Sequence, residues 1–156
     1  GIGNPGTDSG SGTDGVDDAI EKVDIFTFLP FKEGREQFIY SSGSQKDNVG
    51  NSYPAGYYIT YDGQQNKNSL VCYILDGKYS TLHGQIAIAY GYKDVKEEVW
   101  VEFYNGDTLI KRTDSVYSGI KPVEFSVDVT QVEELTIRIN GGSQRSGILT
   151  QGFYLE

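Results

Sequence analysis

Side chains able to perform acid–base or nucleophilic chemistry are few in this sequence of 156 residues. The one histidine, His83, lies in the run YSTLHGQIAIAY, where period-two alternation puts it on the polar face of a strand with Gln85. An activated nucleophile needs a base within hydrogen-bond reach, and the sequence spacing supports no such pairing for His83. Glu102 and Glu124 lie on polar strand faces, where solvated charges belong. We therefore predict that the chain is not an enzyme.

Aromatic side chains are abundant, with 12 Tyr, seven Phe and one Trp. A sugar site combines ring platforms with fixed hydrogen-bonding groups, often at the loop tips of a rigid sandwich. The alternative is that loop tyrosines close the end of a sandwich, and Trp100 is expected beneath a covering loop. The residues predicted to bind a ligand lie in turn-like segments: Asn51, Tyr53, Tyr92, Asp94, Tyr117 and Arg145.

Calcium is the remaining chemical possibility, because it prefers several carboxylate and carbonyl oxygens. Asp47 and Glu156 are the carboxylates we predict as its ligands. No EF-hand spacing occurs. The expected ion is therefore a structural calcium outside that motif.

Period-two alternation runs through most of the chain after Val23, and it indicates half-buried antiparallel strands. Asn105-Gly106 lies between two such runs and predicts a hairpin over 98–112. No segment shows sustained helical periodicity. Eight or more short strands predict an all-β fold, an antiparallel β-sandwich or jelly roll. Further strands are predicted over Val23–Phe31, Tyr57–Tyr61, Leu70–Leu75 and Ile148–Leu155.

The start of the chain differs in composition from the rest. Residues 1–15 are mostly Gly, Ser, Thr and Asp, and we predict a flexible linker over residues 1–22 and one module over 23–156. A linker implies a larger parent protein with other domains as partners.

The net charge of −9 argues against nucleic acid and anionic membranes as partners. Cys72 is alone, so no intramolecular disulfide is possible, and we expect a monomer.

Four ordered stretches carry a family resemblance. The run VCYILDGKYSTLHGQIAI over residues 71–88 resembles the central signature of the NPCBM carbohydrate-binding modules, which are related to carbohydrate-binding module family 51. Segments 46–56, 99–109 and 119–139 resemble other parts of that family in the same order. The resemblance implies a jelly-roll module of secreted or bacterial surface proteins, with galactose-type ligands and sometimes a structural calcium.

The sequence thus predicts a non-catalytic, extracellular or cell-surface module that targets a larger protein to a glycan or polysaccharide. Two alternatives stay open at this point. A structural or adhesive module would space or dock neighbouring domains and bind no sugar. A small enzyme would need carboxylates or a nucleophile pair that converge in a cleft.

Overall fold

A computed structural model describes residues 21–27, 31–34, 38–62, 70–142 and 144–156. Almost all of the predicted linker lies outside these residues. In the described part no helix is long and apolar enough to span a bilayer. The strands are β1 (Val23–Asp24), β2 (Phe31–Glu33), β3 (Phe38–Ser41), β4 (Gln45–Lys46), β5 (Ser52–Tyr53), β6 (Gly56–Asp62), β7 (Leu70–Ile74), β8 (Thr81–Ile88), β9 (Val99–Asn105), β10 (Thr108–Arg112), β11 (Val123–Asp128), β12 (Glu134–Gly141) and β13 (Arg145–Leu155).

Two antiparallel sheets pack face to face. The first has the order β11-β8-β13-β6-β3, with β1 also paired to β13, and the second has the order β10-β9-β12-β7-β2. Phe103 of the second sheet meets Phe125 of the first with ring centroids 4.9 Å apart. The predicted β-sandwich is confirmed, because alternation places one face of each strand in this shared core. The largest fully buried side chains include Tyr73, Leu82, Ile86, Ile88, Phe103, Leu135, Ile137 and Ile148.

The hairpin predicted over 98–112 is confirmed, with β9 and β10 joined at Gly106. Gly106 has a φ of 59°, a left-handed conformation that glycine adopts easily because it has no Cβ. The single strand predicted over Val23–Phe31 is wrong. Asp24 Oδ1 accepts a hydrogen bond from the Phe26 N–H at 2.8 Å, and the chain turns into a short 3-10 helix over Ile25–Thr27. An aspartate that caps the following backbone in this way ends a strand without any break in the apolar pattern.

Strand β13 has an irregularity that shapes the first sheet. On one side it pairs with β8, with a register shift between Gln151 and Tyr154. On its other side it pairs first with β6 and then, at Tyr154 and Leu155, with β1. The bulge includes Gly152 at a φ of 61°. On this side the pairing of β13 with β6 ends at Leu149 and its pairing with β1 starts at Tyr154, which leaves a gap in the sheet between them. Such β-bulges often lie beside functional sites.

Candidate functional site

All six residues predicted to bind a ligand lie at one end of the sandwich, which we call the loop end. It comprises the turns over 47–53, 89–97 and 115–120 and the start of β13. Asp47 forms a β-bridge with Ala89, and the Ala89 N–H donates to the Gly147 carbonyl at 2.9 Å. The Asn48 side-chain amide donates to the Tyr117 carbonyl at 3.1 Å. Chain segments that are distant in sequence are thus tied together at this end.

At the loop end, the Asp47 carboxylate is fully buried and accepts four hydrogen bonds. Two come from the Val49 and Asn51 N–H groups at 3.0 and 2.9 Å. The others come from Asn51 Nδ2 at 2.9 Å and the Tyr53 hydroxyl at 2.7 Å. Burial raises the pKa of Asp47, but these bonds outweigh burial and hold that pKa below its usual value. Burial and the bond to Asp47 raise the pKa of Tyr53 to about 12. The polar groups of these three side chains therefore bind one another.

The other predicted residues of the loop end have separate surroundings. The Tyr92 ring packs against Gly147, where an added Cβ would lie 2.6 Å from the nearest ring atom. The Asp94 carboxylate is exposed and contacts Lys93 Nζ at 3.3 Å. Tyr117 is half-buried, whereas Arg145 is exposed at the first position of β13. Tyr92 thus closes the end of the sandwich, as in the alternative interpretation of the loop tyrosines. Sugar binding by these residues stays a prediction.

The two carboxylates predicted to bind calcium lie far apart. Asp47 is bridged to Ala89, just beyond the last residue of β8, whereas Glu156 pairs through its backbone with Thr81, the first residue of β8. At about 3.3 Å per strand residue, roughly 25 Å separates them, so they cannot share one ion. No group of three or more His, Cys, Asp or Glu side chains suited to a metal occurs among the described residues. A structural calcium stays a prediction, which a thermal shift on adding and chelating calcium would test.

A second candidate site lies on the outer face of the first sheet, and we call it the polar groove. Cross-strand register aligns Glu124, Gln85 and Gln151 in one row over β11, β8 and β13. Ser126, His83 and Tyr154 form the next row in the same way. The depression that these rows line has a volume of about 450 Å³. Three strands thus bring two amides, a carboxylate, a hydroxyl and an imidazole onto one open surface.

In the polar groove, His83 is held on three sides. Its Nδ1 lies 2.9 Å from Ser126 Oγ, its Nε2 lies 3.2 Å from Glu156 Oε2, and its ring stacks on Tyr154 at 4.7 Å between centroids. The order of hydroxyl, imidazole and carboxylate is that of an acyl-transfer triad. However, Ser126 is exposed on an open sheet face, where water screens the charge that a transition state would develop. The arrangement is therefore better suited to fixing a hydrogen-bonding imidazole than to catalysis.

An aromatic notch adjoins the polar groove at the gap in the sheet. Phe26, Tyr40 and Tyr57 line a depression of about 400 Å³ together with Lys22 and Asp24. Tyr57 stacks on Phe26 at 4.5 Å and meets Tyr40 edge-on at 5.1 Å. Tyr40 is 57% exposed and so presents a ring to solvent. The notch thus adds an exposed aromatic ring beside the hydrogen-bonding groups of the polar groove.

The outer face of the second sheet carries a closed polar network. The buried Glu102 carboxylate accepts hydrogen bonds from Trp100 Nε1 at 2.8 Å and the Tyr104 hydroxyl at 2.7 Å. Burial raises the pKa of Glu102, but these bonds, Asn140 and the Arg138 charge outweigh it and lower that pKa. The Arg112 guanidinium lies 3.8 Å from the centre of the Trp100 ring. The side chain of Arg112 on the neighbouring strand thus packs on the Trp100 ring, and the covering loop expected there stays a prediction.

The sequence did not single out the polar groove or the aromatic notch as a site. Alternation correctly places His83, Gln85 and Glu124 on polar faces. The order β11-β8-β13 joins strands that are far apart in sequence, however, and local patterns do not carry it. The available signal was the presence of amides and a histidine at outward positions of several strands.

Comparison with known proteins gives structural neighbours. No family model and no curated protein matches the chain. The CBM51 module of Clostridium perfringens GH95, solved with methyl-galactose, aligns over 87% of this chain and all of its own, with a TM-score of 0.61 and 12% identity. The chain has the CBM51 fold.

A further neighbour is the structure of the CBM51-2 and INT domains of Clostridium perfringens ZmpB with GlcNAc. It aligns over 86% of this chain with a TM-score of 0.62 and 15% identity. This chain spans only 31% of the length of that structure. It spans 15% of the ZmpB structure that contains the M60 catalytic domain with the CBM51-1 and CBM51-2 domains. The predicted likeness to family 51 is thus confirmed for the fold, while membership of the NPCBM family stays a prediction.

Proposed function

We propose that this chain is a non-catalytic carbohydrate-binding module that holds a glycan in the polar groove and the adjoining aromatic notch. Its support is the juxtaposition of hydrogen-bonding side chains with the exposed ring of Tyr40, on a fold whose neighbours were solved with GlcNAc and methyl-galactose. Binding would attach a larger extracellular protein to its glycan target. Galactose-type specificity, as the family resemblance implies, is part of the proposal.

Sugar chemistry explains why these residue types suit the polar groove. A pyranose offers hydroxyls that both donate and accept hydrogen bonds, and the Gln85 and Gln151 amides and the Glu124 carboxylate can serve them in pairs. The C–H face of the sugar needs an apolar ring such as Tyr40. At the loop end, the polar groups of Asn51 and Tyr53 bind the Asp47 carboxylate instead, so they are less free to bind a ligand.

A direct test is glycan-array screening followed by calorimetry, with methyl-galactose and GlcNAc as the first probes. Replacing Gln85 or Gln151 by alanine should weaken binding about tenfold, since each removes hydrogen bonds worth about 1–1.5 kcal/mol. The exposed Asp94→Ala variant at the loop end is the matched control and should bind like wild type. The opposite pattern would move the site to the loop end.

If a folded sample with calcium present bound no glycan on a broad array, a structural or adhesive module that docks neighbouring domains would be favoured instead. An enzyme would be indicated if the chain hydrolysed an activated ester and Ser126→Ala abolished that activity. We expect no such activity because the groove is open to water.

A further inference from the structure

We propose that the polar groove and the aromatic notch form one continuous surface that binds an internal stretch of an extended, uncharged oligosaccharide. This rests on the proposed function and names its ligand class. A single terminal sugar would need only one of the two depressions. The inference depends on their continuity, their length, their chemistry and their charge.

The two depressions meet at the bulge of β13. Gln151, Gly152 and Tyr154 line both of them. Gly152 has no side chain, and no neighbouring heavy atom lies within 4 Å of where its Cβ would be. The bulge therefore forms an open saddle over which a chain can pass from the groove into the notch.

The combined surface crosses the strands of the first sheet. It begins at Glu124 on β11, which is an outermost strand of the described sheet, and ends at Tyr40 on β3, the outermost strand on the other side. Four steps of about 4.8 Å between neighbouring strands give a length of roughly 19 Å. That length exceeds a single hexose and suits several linked sugars.

The chemistry changes along this path. The end near Glu124 supplies hydrogen-bonding groups, whereas the end near Tyr40 supplies aromatic rings. Tyr57 lies between Phe26 and Tyr40 and contacts both rings, so the aromatic end is rigid before a ligand arrives. Polar and aromatic subsites in series would hold successive sugars of one chain, and the preformed aromatic end lowers the cost of ordering on binding.

The charges beside the path decide which saccharides fit. Glu124 and Asp24 line it and Glu156 contacts His83, whereas Lys22 is the one ammonium group among the described residues that line it. Lys22 Nζ itself lies over the Tyr154 ring at 4.8 Å. In the part of the surface that the structure describes, carboxylates therefore outnumber cations, and the whole chain carries a net charge of −9. Uronic, sialylated or sulfated chains would be repelled, so the ligand is a neutral oligosaccharide.

The test is calorimetry with β-linked GlcNAc and galactose oligomers, from monomer to hexamer, and with oligogalacturonate before and after methyl esterification of its carboxylates. Affinity should rise about tenfold or more from the monomer to the tetramer and then level off, because each subsite adds one or two net hydrogen bonds or a stacking contact. Oligogalacturonate should bind more weakly than its neutral methyl ester of equal length.

Tyr40→Ala should remove the gain from added sugars and leave the shortest ligands nearly unaffected. Its control is Tyr90→Ala, which truncates a tyrosine of similar exposure, 50%, at the loop end. Monomers binding as tightly as hexamers, with Gln85→Ala still weakening both, would overturn the extended-chain inference and leave the proposed function standing. No binding to any glycan would overturn both.

Discussion

Replacing Asp47 by asparagine tests whether the hydrogen bonds to its carboxylate stabilise the fold at the loop end. The carboxylate is fully buried and each of its oxygens accepts two hydrogen bonds, from Val49, Asn51 and Tyr53. Asparagine has nearly the same shape but keeps only one oxygen. Its amide group would face the Asn51 Nδ2 and Tyr53 hydroxyl groups, which donate to Asp47 in the native protein.

The expected cost follows from the number of bonds changed. Hydrogen bonds to a charged group contribute about 1.5–3 kcal/mol each, and two of the four lose their acceptor in Asp47→Asn. Allowing for rotation of the Tyr53 hydroxyl, we expect the free energy of unfolding to fall by about 3 kcal/mol. For a chain of this size the melting temperature should drop by roughly 6–12 °C.

Urea unfolding followed by the fluorescence of the single tryptophan, Trp100, measures the change. The pKa of Asp47 is lowered in the folded protein. Its contribution is therefore complete above the unfolded pKa of about 3.9 and is lost as the pH falls toward the folded pKa. The stability gap between wild type and Asp47→Asn should accordingly be constant near neutral pH and narrow below about pH 4.

Asp94→Asn is the control, because Asp94 is a loop-end aspartate whose side chain is 90% exposed. It should change the free energy of unfolding by less than about 0.5 kcal/mol. The reasoning is refuted if Asp47→Asn is equally mild, or if its stability gap widens as the pH falls.

Two further variants probe other parts of the fold. Glu102→Gln should lower the free energy of unfolding by about 1–3 kcal/mol and change the fluorescence emission of Trp100, whose indole N–H donates to that carboxylate. Glu98→Gln, at an exposed position, is the control and should change neither quantity. The difference in the free energy of unfolding between wild type and Glu102→Gln should become smaller at acid pH, because the pKa of Glu102 is lowered in the folded protein. Gly84→Ala would place its Cβ 2.5 Å from the Phe125 ring and should cost about 1–3 kcal/mol on thermal unfolding. Gly91→Ala, with open space around it, should be tolerated; equal melting temperatures for the two alanine variants would contradict this packing argument.

Much of the fold could be predicted from local patterns. The hairpin around Gly106 followed from its turn residues, and the inward face of β8 followed from Leu82, Ile86 and Ile88, all fully buried. The strand predicted over Val23–Phe31 failed because a single hydrogen bond to Asp24 redirects the backbone. Such a bond depends on local geometry that apolar periodicity does not register.

The loop end shows the limit of predicting a site from residue types. Asn51, Tyr53 and Tyr92 were selected as polar and aromatic residues in turns, and all three do lie at the loop end. Their selection could not reveal that Asp47, 0% exposed, takes up the polar atoms of the first two, or that Gly147 receives the ring of the third.

The sequence by itself determined that this chain is an all-β sandwich with few groups suited to catalysis, because alternation, turn residues and composition are local properties. Tertiary structure alone decided where a ligand would fit. Glu124, Gln85 and Gln151 come from strands separated by dozens of residues, and only the strand order and the bulge at Gly152 set them in one row beside Tyr40. Strand pairing over such distances depends on how whole faces pack, and no short segment of the chain encodes it.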